Sequence, residues 1–133
     1  MHKKIIKFTM TLIILGMLSS CKKKDYREDY VGHYQFVVEE TEYNNIDSIY
    51  SDTLINFLGE IDYGIDDNEI SIHYLPNTTI YPILDEDGNL SSSGSGQGSS
   101  FGGKFETKNK VTFGGGTGSA VEGTTYQVSG IKQ

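Results

Sequence analysis

A period of two limits this chain more than any other feature. From Tyr30 onward, short apolar runs alternate with polar residues and are interrupted by turn-forming clusters. Tyr34, Phe36 and Val38 fall on one side of such a run, and His33, Gln35, Val37 and Glu39 on the other, which marks a strand with one buried face. Ile70, Ile72 and Tyr74 repeat the pattern against Ser71 and His73, as do Tyr126 and Val128 against Thr125, Gln127 and Ser129. Helix formers are scarce: Ala120 is the only alanine, whereas tyrosine, threonine, isoleucine and glycine abound. That mixture suits pleated, half-buried strands.

The turn signals divide the body into seven or eight short strands. Residues 40–45 read as the first turn and residues 66–68 as the next, while Pro76 and Asn77 end a strand. Asp87 and Gly88 form a strong hairpin signal. Lys108 and Asn109 form another tight turn, and a glycine cluster at 114–118 precedes the last strand. Residues 91–103 are almost entirely serine and glycine and read as a flexible loop or a frayed strand pair. Residues 46–63 carry two readings. Ile46, Ile49, Tyr50, Leu54, Phe57 and Leu58 also fit helical spacing, with Gly59 placed as a stop. The strand is preferred, because Gly59, Ile61 and Tyr63 alternate with Glu60 and Asp62.

Ahead of this body lies a different kind of segment. Lys3, Lys4 and Lys7 form a basic start, and an apolar run over residues 8–18 follows. The run falls short of the roughly 18 to 20 apolar residues that cross a bilayer as a helix, so it reads as the core of an export signal. Leu18, Ser19, Ser20 and Cys21 close it and resemble the lipobox of bacterial lipoproteins. The resemblance implies cleavage after Ser20, giving a signal peptide over 1–20, and a diacylglycerol thioether on Cys21 that becomes the membrane contact. At about 0.8 kcal/mol per buried methylene, one acyl chain anchors marginally, whereas two or three hold stably. Lys22 after the cysteine is not the aspartate linked to inner-membrane retention, so the resemblance points to the outer membrane, on either its periplasmic or its cell-surface side.

Removing 20 of 133 residues leaves 113, enough for one domain with its own core. Cys21 is the only cysteine, so the body folds without an internal disulfide. The chain carries 11 lysines and arginines against 18 aspartates and glutamates. The signal takes three lysines with it, leaving 8 against 18 and a net charge of −10. Nucleic acid is a poor partner for such a surface. Residues 21–29, with Lys22, Lys23, Lys24 and Arg27, read as a lipidated N-terminus and polar tether, and residues 30–133 as the domain.

The motifs that carry chemistry are weak. Gly98, Ser99, Ser100, Phe101 and Gly102 spell a nucleophile elbow, but its histidine base must come later in the chain, and the last histidine is His73. Asp85, Asp87 and Asn89 resemble the start of a calcium loop, yet its glycine is due at the sixth place and falls at the fourth, Gly88. His33 and His73 share polar faces and lack a second ligand at close spacing. Asp47, Ser48, Ile49 and Asp52, Thr53, Leu54 resemble triplets that some Gram-negative bacteria O-glycosylate. No motif asks for a cofactor or a metal, and no catalytic set is expected.

Closing a meander of such strands removes its exposed edges, so the expected fold is all-β, a small antiparallel meander barrel. The pattern that begins Tyr30, Gly32, Tyr34 and ends Tyr126, Val128, Gly130 resembles the lipocalin-like small lipoproteins of Gram-negative bacteria. The expected function is non-enzymatic: a lipid-anchored barrel that binds a small apolar ligand or a protein partner. The alternative is an acidic inhibitor or shield against a cationic enzyme such as lysozyme.

Overall fold

The computed structural model describes residues 24–92 and 99–133. The export signal, Ser20 and Cys21 lie outside the described residues. The body is all-β. Its elements are a short 3-10 helix (Tyr26–Asp29) and strands β1 (Gly32–Asn44), β2 (Ile49–Tyr63), β3 (Ile70–Leu75), β4 (Thr78–Ile80), β5 (Ile83–Leu84), β6 (Asn89–Ser91), β7 (Ser99–Thr107), β8 (Lys110–Gly118) and β9 (Glu122–Lys132).

All nine strands form one antiparallel sheet in the order β4-β3-β2-β1-β9-β8-β7-β6-β5. Its two ends, β4 and β5, are separated only by Tyr81 and Pro82, and both face β3. β4 pairs with β3 at Ile72 and Ile80, and a bridge joins Glu69 to Ile83. The Ile70 N–H donates to Pro82 O at 3.1 Å, and the Leu84 N–H donates to Asn68 O at 2.8 Å. β4 and β5 thus act as one bent strand that closes the sheet into an eight-stranded up-and-down barrel, with β9 pairing β1 to complete the ring.

The alternation read from the sequence sets which face is inside. Tyr34, Phe36, Val38, Ile61, Ile70, Ile72, Leu84, Val111, Phe113 and Val128 are buried together with Tyr74, Leu90 and Phe105. Burying each large side chain contributes about 1.5–3 kcal/mol over leaving it exposed. Phe36 is the centre of this packing, and two glycines make room for it. A Cβ at Gly59 would meet the Phe36 ring at 2.9 Å, and one at Gly130 would meet it at 2.6 Å.

Two expectations change, and the preferred strand reading of residues 46–63 holds over 49–63. β1 runs through residues 40–44, because β2 and β9 pair with it as far as Asn44; the turn moves to residues 45–48, where Ser48 takes φ +51°. β8 runs through the glycine cluster at 114–118, pairing with both neighbours. Residues 49–63 are strand and not helix. The apolar residues that mimic a helical stripe lie on both faces of β2, and Ile49, Tyr50, Leu54 and Leu58 are exposed. Of the serine and glycine stretch at 91–103, Ser91 ends β6 and residues 99–103 belong to β7; residues 93–98 lie outside the described residues.

Candidate binding site at the open end

The barrel has two unlike ends. The short turns at 64–69, 85–88 and 108–109 gather at the base, and the 3-10 helix seals them. Tyr26 Oη donates to Leu84 O at 2.7 Å, and the Tyr30 ring packs on Phe105 with centroids 4.3 Å apart. Arg27, read from the sequence as part of a basic tether, is only 8% exposed. Its Nη1 donates to Asp66 O at 2.8 Å and Glu69 O at 3.0 Å, its Nη2 pairs with Asp25 at 2.6 Å, and its guanidinium lies 5.0 Å from the centre of the Tyr63 ring. Asp29 takes both Lys24 and Lys108, at 2.8 and 2.7 Å, which holds its carboxyl down at about 2. The end of the tether is therefore an integral plug.

At the opposite end β1, β2, β7, β8 and β9 continue beyond the short strands β3 to β6 and form a curved arch. Where the packed interior stops, aromatic rings make a floor. Tyr74 stacks on Tyr126 with centroids 6.1 Å apart and meets Phe113 edge-on at 5.3 Å, and Phe101 lies 6.1 Å from Phe113. Gly115 admits the Tyr126 ring, since a Cβ there would lie 2.8 Å from its hydroxyl oxygen. Burial, followed by Tyr126 and the charge of Glu40, pushes the Tyr74 hydroxyl up to about 12. Burial also raises Tyr126. Both are protonated near neutrality and present hydroxyls to the arch.

Above that floor, the register places Glu40 against Tyr126 and Thr53, Glu42 against Thr124 and Ser51, and Asn44 against Glu122 and Ile49. Near the tip, Glu42, Asn44, Ile49, Thr117, Glu122 and Thr124 line a cleft of about 420 Å³. A second concavity of about 500 Å³ lies on the other face of the sheet. Glu39, Thr41, Thr112 and Gln127 wall it, and Gly102 and Gly114 form its floor. That groove exists because two glycines put no side chain there.

Carboxylates occur at both ends, and it is the described cations that are confined to one. The cations among the described residues, Lys24, Arg27, Lys104, Lys108, Lys110 and Lys132, all lie in the base half, as do the four ion pairs described. Glu39, Glu40, Glu42, Asp47, Asp52 and Glu122 lie on the arch. The arch is an acidic concavity over an aromatic floor, suited to a ligand or segment that joins apolar surface with positive charge.

The candidates for chemistry do not converge. Ser100 sits inside β7 opposite Gly116, with no strand-to-helix turn, and Gly98 lies outside the described residues. The Asp85 carboxylate accepts from the N–H groups of Asp87 and Asn89, at 3.0 and 2.8 Å, and from Asn89 Nδ2. It is a turn cap. His33 and His73 both flank Glu60, on opposite neighbouring strands, and His73 Nδ1 shares a 3.0 Å hydrogen bond with Thr79 Oγ1. Among the described residues, no group of three His, Cys, Asp or Glu side chains is placed to hold a metal. The sequence reading missed the arch itself, because Glu40 and Glu42 looked like turn residues.

No protein-family model matches the chain, and no curated protein matches it. Among solved structures it is similar to the S-type phycobiliprotein lyase CPES from Guillardia theta, with a TM-score of 0.39 and 10% identity over 86% of this chain and 94% of that one.

Proposed function

We propose that this protein is a non-enzymatic, lipid-anchored lipoprotein of the outer membrane, whose barrel binds a small amphipathic ligand or a protein partner at the arch. In this reading Ser20 is the last residue of the cleaved signal and Cys21 carries the acyl chains. One observation supports it above the rest: residues 24–30, a few positions after Cys21, plug the base, while the aromatic floor and the acidic arch occupy the other end. An anchor at residue 21 then holds the base against the bilayer and turns the arch away from it.

The interior below Tyr74 is filled by side chains, so a ligand reaches only the floor and the arch above it. Binding there is tested by native mass spectrometry of protein purified from its own membranes, together with melting curves in lipid extracts. A co-purifying small molecule or a raised melting temperature is expected for the ligand form of the reading. Neither result, alongside no partner captured by crosslinking in the cell, removes arch binding altogether. Anchoring is tested separately by acyl labelling, which Cys21→Ala should abolish.

The second reading, a shield against a cationic enzyme such as lysozyme, is favoured by the restriction of the described cations to the base half. Muramidase activity should then fall when the protein is added at low ionic strength and recover as salt rises. Unchanged activity at low salt eliminates it.

A further inference from the structure

Strand β2 is paired with β1 over residues 49–61, but β3 covers its other edge only over residues 60–63. Among the described residues, nothing pairs with the outer edge over residues 49–58. A ten-residue unpaired edge is long, and natural proteins usually blunt such an edge with lysine, proline or a bulge. This one has none of these. Its one charged side chain, Asp52, is turned back toward β1, where it accepts a hydrogen bond from Thr41 Oγ1 at 2.8 Å.

The side chains along the edge fit an added strand. Tyr50, Leu54 and Leu58 stand in a row on the outer face, exposed by 67%, 66% and 62%. Ser51 and Thr53 alternate with them on the inner face, and on β1, directly opposite these two, stand Glu42 and Glu40. Strands lie about 4.8 Å apart, so those carboxylates are about 10 Å from an added strand, within reach of a lysine side chain whose ammonium then approaches them to less than a Debye length.

We infer that the β2 edge is a docking site for an extended, basic segment of a partner protein, which adds as a further strand. Its apolar side chains would lie beside Tyr50, Leu54 and Leu58, and its basic ones would face Glu40 and Glu42. Backbone hydrogen bonds supply affinity in this mode and alternate side chains supply specificity. A second copy of this chain fits less well, because it would bring another cation-free arch against the first.

The test uses the full-length protein in detergent and a ten-residue peptide alternating lysine with valine, with a glutamate and valine peptide as counterpart. The lysine peptide should bind and slow hydrogen exchange over residues 49–58. Binding should weaken at least about tenfold in Leu54→Lys, where the new charge stands at an exposed position. It should also weaken as salt rises from about 50 to about 500 mM. Equal binding of the glutamate peptide, full binding by Leu54→Lys, or binding without slowed exchange at 49–58 overturns the inference. So does a peptide-free dimer in which those amides are already protected, which would assign the edge to a second copy.

Discussion

Tyr74 and Tyr126 stack across the barrel from β3 to β9, with ring planes 19° apart, and this pair divides the molecule into a filled half and an open half. Below it the inward positions of β1, β3 and β8 are apolar or glycine, with Lys132 reaching Asp29 O at the base; above it the inward positions turn to Glu40, Glu42, Thr53 and Thr124. Tyr74 belongs to the packed side, so Tyr74→Ala should cost about 3–5 kcal/mol. Tyr126 is half-buried and should cost less on truncation while weakening ligand binding more. Urea unfolding of both variants, set beside their ligand-binding titrations, checks this split.

Arg27 holds the plug. Its replacement by methionine keeps volume but leaves the carbonyls of Asp66 and Glu69 without their donor and Asp25 without its partner. A loss of about 2–3 kcal/mol is expected, as for hydrogen bonds that involve a charged group. Lysine should recover only part of it, since one ammonium cannot reproduce the planar fork. Equilibrium unfolding of the two variants measures both effects.

Much of this architecture was legible in the sequence, because alternation reports burial directly. The inward set of β1, from Tyr34 to Val38, and that of β3 follow from period two alone. Where alternation carries no burial signal, legibility fails. Glu40 and Glu42 hold inward positions but lie on the open arch, so their polarity imitated a turn. Tyr50, Leu54 and Leu58 are apolar yet exposed, so their four-residue spacing imitated a helix. Glycines 114 to 116 form strand although they are poor strand formers, because Tyr126 covers Gly115 and the neighbouring backbones approach closely. The part hardest to read in the sequence is thus the part proposed to bind.

Stability should fall at both extremes of pH. The hydroxyls of Tyr34, Tyr74 and Tyr126 are all raised, chiefly by burial. A raised acid stabilises the fold fully below its unfolded value, near 10, and that contribution is lost as pH climbs toward about 12, the folded value of Tyr74. Asp29 runs the other way. Lowered by Lys108 and Lys24 to about 2, it stabilises above its unfolded value, near 3.9, and the effect fades as pH falls from about 4 to about 2. Melting temperatures across the pH range should decline at both ends, with Tyr74→Phe flattening the alkaline arm and Asp29→Asn the acid one.

Gly59 lies just past the last pair between β2 and β3, Glu60 with His73. An added Cβ would strike the carbonyl oxygen of His73 and the ring of Phe36. Gly59→Ala should therefore destabilise by about 1–3 kcal/mol through overpacking. It should also raise hydrogen exchange in β3 more than in β9, which hydrogen-exchange mass spectrometry resolves.

In the proposed function the base faces the bilayer and the arch faces away. The chain contains no tryptophan, so single tryptophans report position cleanly. Ile65, 91% exposed in a base turn, and Ile46, 77% exposed at the arch tip, accept one without disturbing the core. With the lipidated protein in vesicles containing brominated lipid, tryptophan at 65 should be quenched and tryptophan at 46 should keep its emission. Stronger quenching at 46, or equal quenching at both, would rule out this orientation.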